Sequence, residues 1–171
     1  MTDRPKSIDA FSPNFTPCDK GRVISCIVLH ATAGARDGAL ATLRDPKTKV
    51  SAHYLIDEMG AIYNLVDENN IAWHAGESFF KKRANVNHFS IGIELVNPND
   101  GVSSYPAEQL SSCAQLCGVI CKDHGLEPGV DIVGHAEIAI PAGRKTDPAG
   151  FPWESFKVFV LSASGSIGKG A

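Results

Sequence analysis

The chain is expected to form one α/β domain: a mixed central β-sheet flanked by α-helices. Three observations predict this. Short β-branched runs alternate with helical patterns along the sequence. One pair of runs is joined by a tight polar turn, which demands an antiparallel pair. Hydrophobic residues make up 43% and charged residues 20% of 171 residues, a globular balance at a length that suits one core.

Taken in order, residues 1–21 are rich in Pro, Asp, Ser and Asn and read as an extended lead-in. Residues 23–29 are β-branched and nearly all apolar, as in a strand buried on both faces, and run straight into His30. Thr32 and Gly34 mark a loop, and 37–43 reads as a short helix with Ala39, Leu40 and Leu43 inward. Residues 51–56 and 61–66 alternate as strands around the turn Asp-Glu-Met-Gly at 57–60. Residues 90–96 form another strand, with Ile91, Ile93 and Leu95 on one face and Glu94 on the other. Pro106 opens a helix whose Leu110, Ala114, Cys117 and Cys121 make one apolar stripe, and Gly125 stops it. Residues 131–135 read as a brief strand ending in His135, and a final short helix starts at 151–154. The domain is thus expected over 22–161, followed by a flexible Gly/Ser-rich tail at 162–171.

Composition excludes several function classes. A formal charge of −3 leaves no basic footprint for nucleic acid and no strong grip on an anionic membrane. No apolar run approaches a membrane span, so no membrane insertion is expected. Cys18, Cys26, Cys113, Cys117 and Cys121 are odd in number and lack a CxxC pair, which fits free thiols in a reducing compartment. The polar first residues carry no apolar signal core, so synthesis and retention in the cytoplasm are expected, unless lysis or a dedicated export route releases the protein. Oligomeric state is not readable.

Chemistry concentrates at strand ends. His30 and His135 each close a predicted strand, and Asp147 lies twelve positions after His135. Two imidazoles and one carboxylate suit Zn²⁺ or another borderline divalent metal, and three protein ligands leave a fourth position open, as in catalytic zinc sites. By spacing alone each histidine is more often a hydrogen-bonded structural residue than a ligand, since no HExxH fixes two ligands on one helix. Glu94 alone reads as a solvated strand residue, and Arg144 and Lys145 as loop charges.

Five segments in order resemble one family. They are 27–34 (Ile-Val-Leu-His-Ala-Thr-Ala-Gly), 50–56 (Val-Ser-Ala-His-Tyr-Leu-Ile), 72–76 (Ala-Trp-His-Ala-Gly), 87–95 (Asn-His-Phe-Ser-Ile-Gly-Ile-Glu-Leu), and Gly134-His135 continuing to 143–148 (Gly-Arg-Lys-Thr-Asp-Pro). Together they resemble the N-acetylmuramoyl-L-alanine amidases, whose fold is shared by peptidoglycan recognition proteins. The nearest branch is that of the anhydro-muropeptide amidases. The resemblance implies a zinc-dependent hydrolase cutting between the muramic or anhydromuramic lactyl group and L-alanine, with a peptidoglycan fragment or the wall polymer as substrate. It implies zinc on His30, His135 and Asp147, with Glu94 as the general base. It also implies Lys145 as oxyanion stabiliser, Trp73 and His74 along the substrate groove, and Asn87 orienting that groove.

Ala52 stands where the phage lysozyme branch carries a site tyrosine, which favours Glu94 as base. The segment 136–144 is slightly longer than in the anhydro-muropeptide branch; either a loop absorbs the extra length or Asp147 is displaced. Two other functions remain: a non-catalytic peptidoglycan-binding module of the same fold, and a cysteine hydrolase pairing Cys26 with His30, which share a strand face but lie ~13 Å apart.

Overall fold

A computed structural model describes residues 4–18 and 21–163. The strands are β1 (Ser7–Asp9), β2 (Phe15–Thr16), β3 (Cys26–Ala31), β4 (Tyr54–Ile56), β5 (Ile62–Asn64), β6 (Ile71–Ala72), β7 (Phe79–Phe80), β8 (Arg83–Ala84), β9 (Ser90–Leu95) and β10 (Ile132–Gly134). The helices are α1 (Arg36–Arg44), α2 (Ala107–His124), α3 (Pro128–Asp131), α4 (His135–Ile138) and α5 (Trp153–Ala163), with a 3₁₀ turn at Val86–Phe89.

Six strands form one sheet in the order β1-β5-β4-β9-β3-β10. Only the β4–β5 hairpin is antiparallel; the other four pairings are parallel. This is the mixed, helix-flanked sheet the sequence predicts. The hairpin turn is built by Asp57, whose Oδ1 accepts the N–H groups of Met59 and Ala61 at 3.0 and 2.9 Å. Gly60 supplies the positive φ of 80° that the turn requires.

Strand alternation divides β3 and β9 into two faces. Ile27, Leu29, Ile91, Ile93 and Leu95 pack against α2 through Leu110, Cys113, Ala114, Cys117 and Ile120, and against α5 through Phe156 and Val160. Each such side chain, fully buried, contributes roughly 1.5–3 kcal/mol. Gln109 of α2 donates from Nε2 to the carbonyls of Ile56 and Val96, both at 3.0 Å, and so ties the helix to the ends of β4 and β9. The opposite face carries two smaller apolar clusters, one around Val28, Val86 and Phe89, the other around Leu43, Leu55 and Val96. Ala39 and Leu40 of α1 pack against the second cluster, as their spacing predicts.

Several boundaries differ from the sequence reading. Val23 is 80% exposed, and the first core strand starts at Cys26 and runs on to Ala31. Asp131 ends α3 rather than opening a strand: Pro128 starts that turn, and the Asp131 carboxylate accepts the N–H of Glu127 at 2.9 Å. His135 is the first residue of α4, where the Glu137 carboxylate accepts the N–H of Gly134 at 2.8 Å. The lead-in contains β1, which pairs with β5, and β2, which pairs with β6. Helix α5 runs to Ala163, past the expected domain end at 161; the rest of the expected tail, 164–171, lies outside the described residues.

Candidate functional site

Strands β3, β9 and β10 are parallel neighbours, so their C-terminal ends share one edge of the sheet. Ligand sites in open α/β sheets form at such edges. His30 and Glu94 are paired across that edge, one residue before their strands end. His135 follows the last residue of β10. Asp147 arrives from the loop, and its carbonyl accepts the N–H of Ala136 at 2.9 Å.

His30 Nδ1 lies 3.0 Å from His135 Nδ1 and 3.2 Å from Asp147 Oδ2, and His135 Nδ1 lies 3.1 Å from the same oxygen. Tetrahedral bonds of about 2.0–2.1 Å would set ligand atoms about 3.3 Å apart, so the triangle matches the footprint of zinc. The residues are 1%, 4% and 9% exposed. Burial pushes His30 down to about 4 against the opposing hydrogen bond to Asp147, so its imidazole is neutral at ordinary pH. Burial pushes the Asp147 carboxyl up, but hydrogen bonds to His135 and His30 outweigh it and hold the group well below the usual carboxylate range. A neutral imidazole and an ionised carboxylate are the forms that bind a metal.

These groups open into a cleft of about 640 Å³ that also exposes Glu94, Lys145 and Trp73. Glu94 Oε2 is buried and has no hydrogen-bond partner among the described residues. Burial, with help from the negative Asp147, pushes the Glu94 carboxyl up to about 8, while Lys145 pulls the other way. Lys145 itself is exposed. The segment 136–144 does not displace Asp147: α4 takes up its start, Ala139 bridges to Ser78, and Ile140 N–H donates to the Glu77 carbonyl at 3.0 Å.

The three expected groove residues separate. Trp73 walls the cleft, and its indole N–H donates to Thr16 Oγ1 at 3.0 Å. His74 touches the cleft, but both ring nitrogens are engaged, with His30 Nε2 at 3.0 Å and Ser90 Oγ at 3.1 Å, so its polar atoms face the protein rather than a substrate. Asn87 is not part of the cleft wall; its Oδ1 accepts the N–H groups of His74 and Ala75 at 3.1 and 2.8 Å and holds the segment that follows β6.

Two contributions escape the sequence reading. Arg144 is a clamp rather than a loop charge, donating to the carbonyls of Ile140, Ala75 and Glu77 at 2.8, 3.2 and 2.7 Å. The lead-in braces the cleft: Asn14 donates to the Asp45 and Val50 carbonyls, both at 2.9 Å, and its own carbonyl accepts from Ser51 Oγ, which accepts the Trp73 N–H at 2.8 Å. His53 is a buried structural residue whose Nδ1 accepts the Gly92 N–H at 2.9 Å. The cysteine hydrolase has no footing, because burial pushes the Cys26 thiol up to about 12 and leaves no thiolate at neutral pH. Among the described residues no helix is long and apolar enough to cross a membrane.

Comparison with known proteins agrees with this architecture. AmiD of Escherichia coli K12, an N-acetylmuramoyl-L-alanine amidase, is 38% identical over 146 residues, which cover 77% of this chain and 51% of AmiD. This chain therefore spans about half the length of that relative. The 1,6-anhydro-N-acetylmuramyl-L-alanine amidase AmpD of Haemophilus influenzae is 34% identical over 164 residues, 85% of this chain and 87% of AmpD. The crystal structure of a selenomethionine AmpD derivative superposes with a TM-score of 0.80 at 27% identity, covering 93% of this chain and 97% of that one. The complex of E. coli AmiD with the substrate anhydro-N-acetylmuramic acid-L-Ala-D-γ-Glu-L-Lys superposes with a TM-score of 0.72 at 33% identity, over 82% of this chain and 59% of that one. The Amidase_2 family model, described as N-acetylmuramoyl-L-alanine amidase, matches residues 20–150, and the chain belongs to that family.

Proposed function

We propose that this chain is a zinc-dependent amidase that hydrolyses the amide between the lactyl group of N-acetylmuramic or anhydro-N-acetylmuramic acid and L-alanine, in peptidoglycan or its soluble fragments. The observation that carries this reading is the convergence of His30 Nδ1, His135 Nδ1 and Asp147 Oδ2 in one cleft with the unpartnered Glu94 carboxyl oxygen. The muramyl-peptide chemistry named for AmiD and AmpD supports the substrate class.

In this reading His30, His135 and Asp147 would hold a zinc ion, which would supply Lewis acidity toward a carbonyl and toward water. Glu94 takes a proton from the attacking water and passes it to the departing nitrogen of L-alanine. Water thereby adds across the C–N bond: the lactyl carbon gains the oxygen, and the peptide leaves as an amine. The burial that raises the proton affinity of Glu94 suits a group that must hold a proton between those two acts. The Lys145 ammonium offsets the negative charge that develops on the carbonyl oxygen. Trp73, pinned by Thr16, walls the substrate.

The test is release of free peptide from purified anhydro-N-acetylmuramyl tripeptide, followed by mass spectrometry. Release is expected to stop on complete zinc removal and to return when zinc is restored. Cutting by protein verified to be zinc-free overturns the metal mechanism. Tight binding with no release identifies the non-catalytic module instead. A parallel digest of intact wall decides between the polymer and its soluble fragments.

A further inference from the structure

We propose that His74 is a positioning residue that holds His30 with Nδ1 turned toward the metal, through a hydrogen-bonded chain running His30–His74–Ser90–Val86. This rests on the reading of His30 as a zinc ligand.

The direction of the chain follows from its far end. Val86 offers a carbonyl, which only accepts, so the Ser90 hydroxyl 2.7 Å away donates to it. With its single proton committed, Ser90 Oγ must accept from His74 Nε2 at 3.1 Å. A neutral His74 with its proton on Nε2 presents a bare Nδ1, which accepts from His30 Nε2 at 3.0 Å. His30, its proton on Nε2, then presents a bare Nδ1 to His135 and Asp147. Between Val86 and His30, turning any one link round sets two donors or two lone pairs against each other inside the protein, whereas the acceptors left facing one another, His30 Nδ1, His135 Nδ1 and Asp147 Oδ2, are the set a cation would satisfy. His30, His74 and Ser90 are all buried, so water does not easily repair such a mismatch.

Two further features build the seat for His74. A Cβ on Gly92 would lie 2.5 Å from His74 Cγ, so the glycine of the Ile-Gly-Ile-Glu segment leaves the space the imidazole fills. Asn87 Oδ1 accepts the His74 backbone N–H and fixes its main chain. The neighbouring residue serves the second ligand: the Ala75 carbonyl lies 3.1 Å from His135 Nε2 and accepts its proton, again leaving Nδ1 bare. Residues 74 and 75 thus orient both imidazoles, one by a side chain and one by a carbonyl. A metal-bound histidine whose second nitrogen donates to such a partner is fixed in tautomer and angle.

The test combines zinc affinity, measured by competition with a chromogenic chelator, and the ring ¹⁵N shifts of His30 in metal-free protein. His74→Leu is expected to weaken zinc binding about ten- to a hundred-fold and to leave His30 a mixture of tautomers. His74→Asn, which keeps an acceptor oxygen near the Nδ1 position, is expected to recover most of the affinity and the Nε2–H tautomer. Ser90→Ala, which removes only the end of the chain, is expected to cost less than about tenfold and serves if His74→Leu does not fold. Folded His74→Leu or Ser90→Ala protein with wild-type zinc affinity and an unchanged His30 tautomer would overturn the proposal. Wild-type protein that binds no zinc would sink the proposed function instead, and the metal-free tautomer would still decide whether His74 orients His30.

Discussion

On strands β3 and β9 the side chains facing α2 are Ile27, Leu29, Ile91, Ile93 and Leu95, while Val28, His30, Ser90, Gly92 and Glu94 point the other way. The same twelve residues of strand therefore supply a dry core and a polar cleft. The two faces are held by different means. The apolar face is set by volume and burial, and it fixes the register, because a slip of one residue would turn its isoleucines outward. The cleft face adds little apolar burial, but the register fixed behind it delivers His30 opposite Glu94. If this division holds, substitutions on one face remove stability and substitutions on the other remove chemistry.

The largest effect is expected at a ligand. Asp147→Ala should reduce peptide release to background and abolish stoichiometric zinc binding, while circular dichroism stays that of a folded protein, because the α2 face is untouched. Next is Glu94→Gln. It should bind zinc and lower kcat by about 10²–10⁴, the usual contribution of a positioned general base. Steady-state kinetics on the anhydromuramyl tripeptide, with zinc content measured alongside, separates the two variants. Ile93→Ala, on the opposite face of the same strand as Glu94, should cost about 2–5 kcal/mol of unfolding free energy in urea titrations. The fraction that remains folded should keep near-normal zinc affinity. Loss of zinc binding in folded Ile93→Ala protein would show that the faces are not independent.

The core face was the more legible of the two. Alternation over 90–96 places Ile91, Ile93 and Leu95 together, and the helical stripe through Leu110, Ala114, Cys117 and Cys121 meets them as expected. The burial period is a property of neighbouring residues and can be read locally. The cleft is built from residues far apart in sequence: His30 meets His135 across 105 positions. No local period encodes that meeting, so only the family resemblance could bring those residues together on paper. Resemblance in turn named His74 for the groove and Asn87 for orienting it, but a motif records which residues recur and not which way they point: His74 reaches the cleft with both ring nitrogens turned to the protein. Gly92 was the available clue, since a glycine inside a buried strand marks the close approach of something from outside it. The lead-in and the Arg144 clamp were missed for another reason: their hydrogen bonds end on backbone carbonyls, which carry no sequence signature.

The smallest effect sharpens the comparison through pH. Burial raises the Glu94 carboxyl from its ordinary value of 4.5 to about 8, so the metal-free folded state holds a proton there that the unfolded chain has already released. Where the folded state binds more protons, stability falls as pH rises. Buried His30 and His53, held neutral well below their ordinary 6.5, pull stability the other way up to that pH, so the Glu94 contribution is read as a difference: the unfolding free energy of metal-free wild type minus that of Glu94→Gln should fall between about pH 4.5 and 8, by at most about 1.4 kcal/mol per pH unit. Zinc should abolish this difference, because its double charge favours the ionised carboxylate. Ile93→Ala should lower the whole curve and leave its slope alone, because an apolar side chain exchanges no proton. Urea titrations of the metal-free and zinc-loaded forms across that pH range read all three curves. A difference that does not vary with pH would remove Glu94 as a titrating member of the cleft.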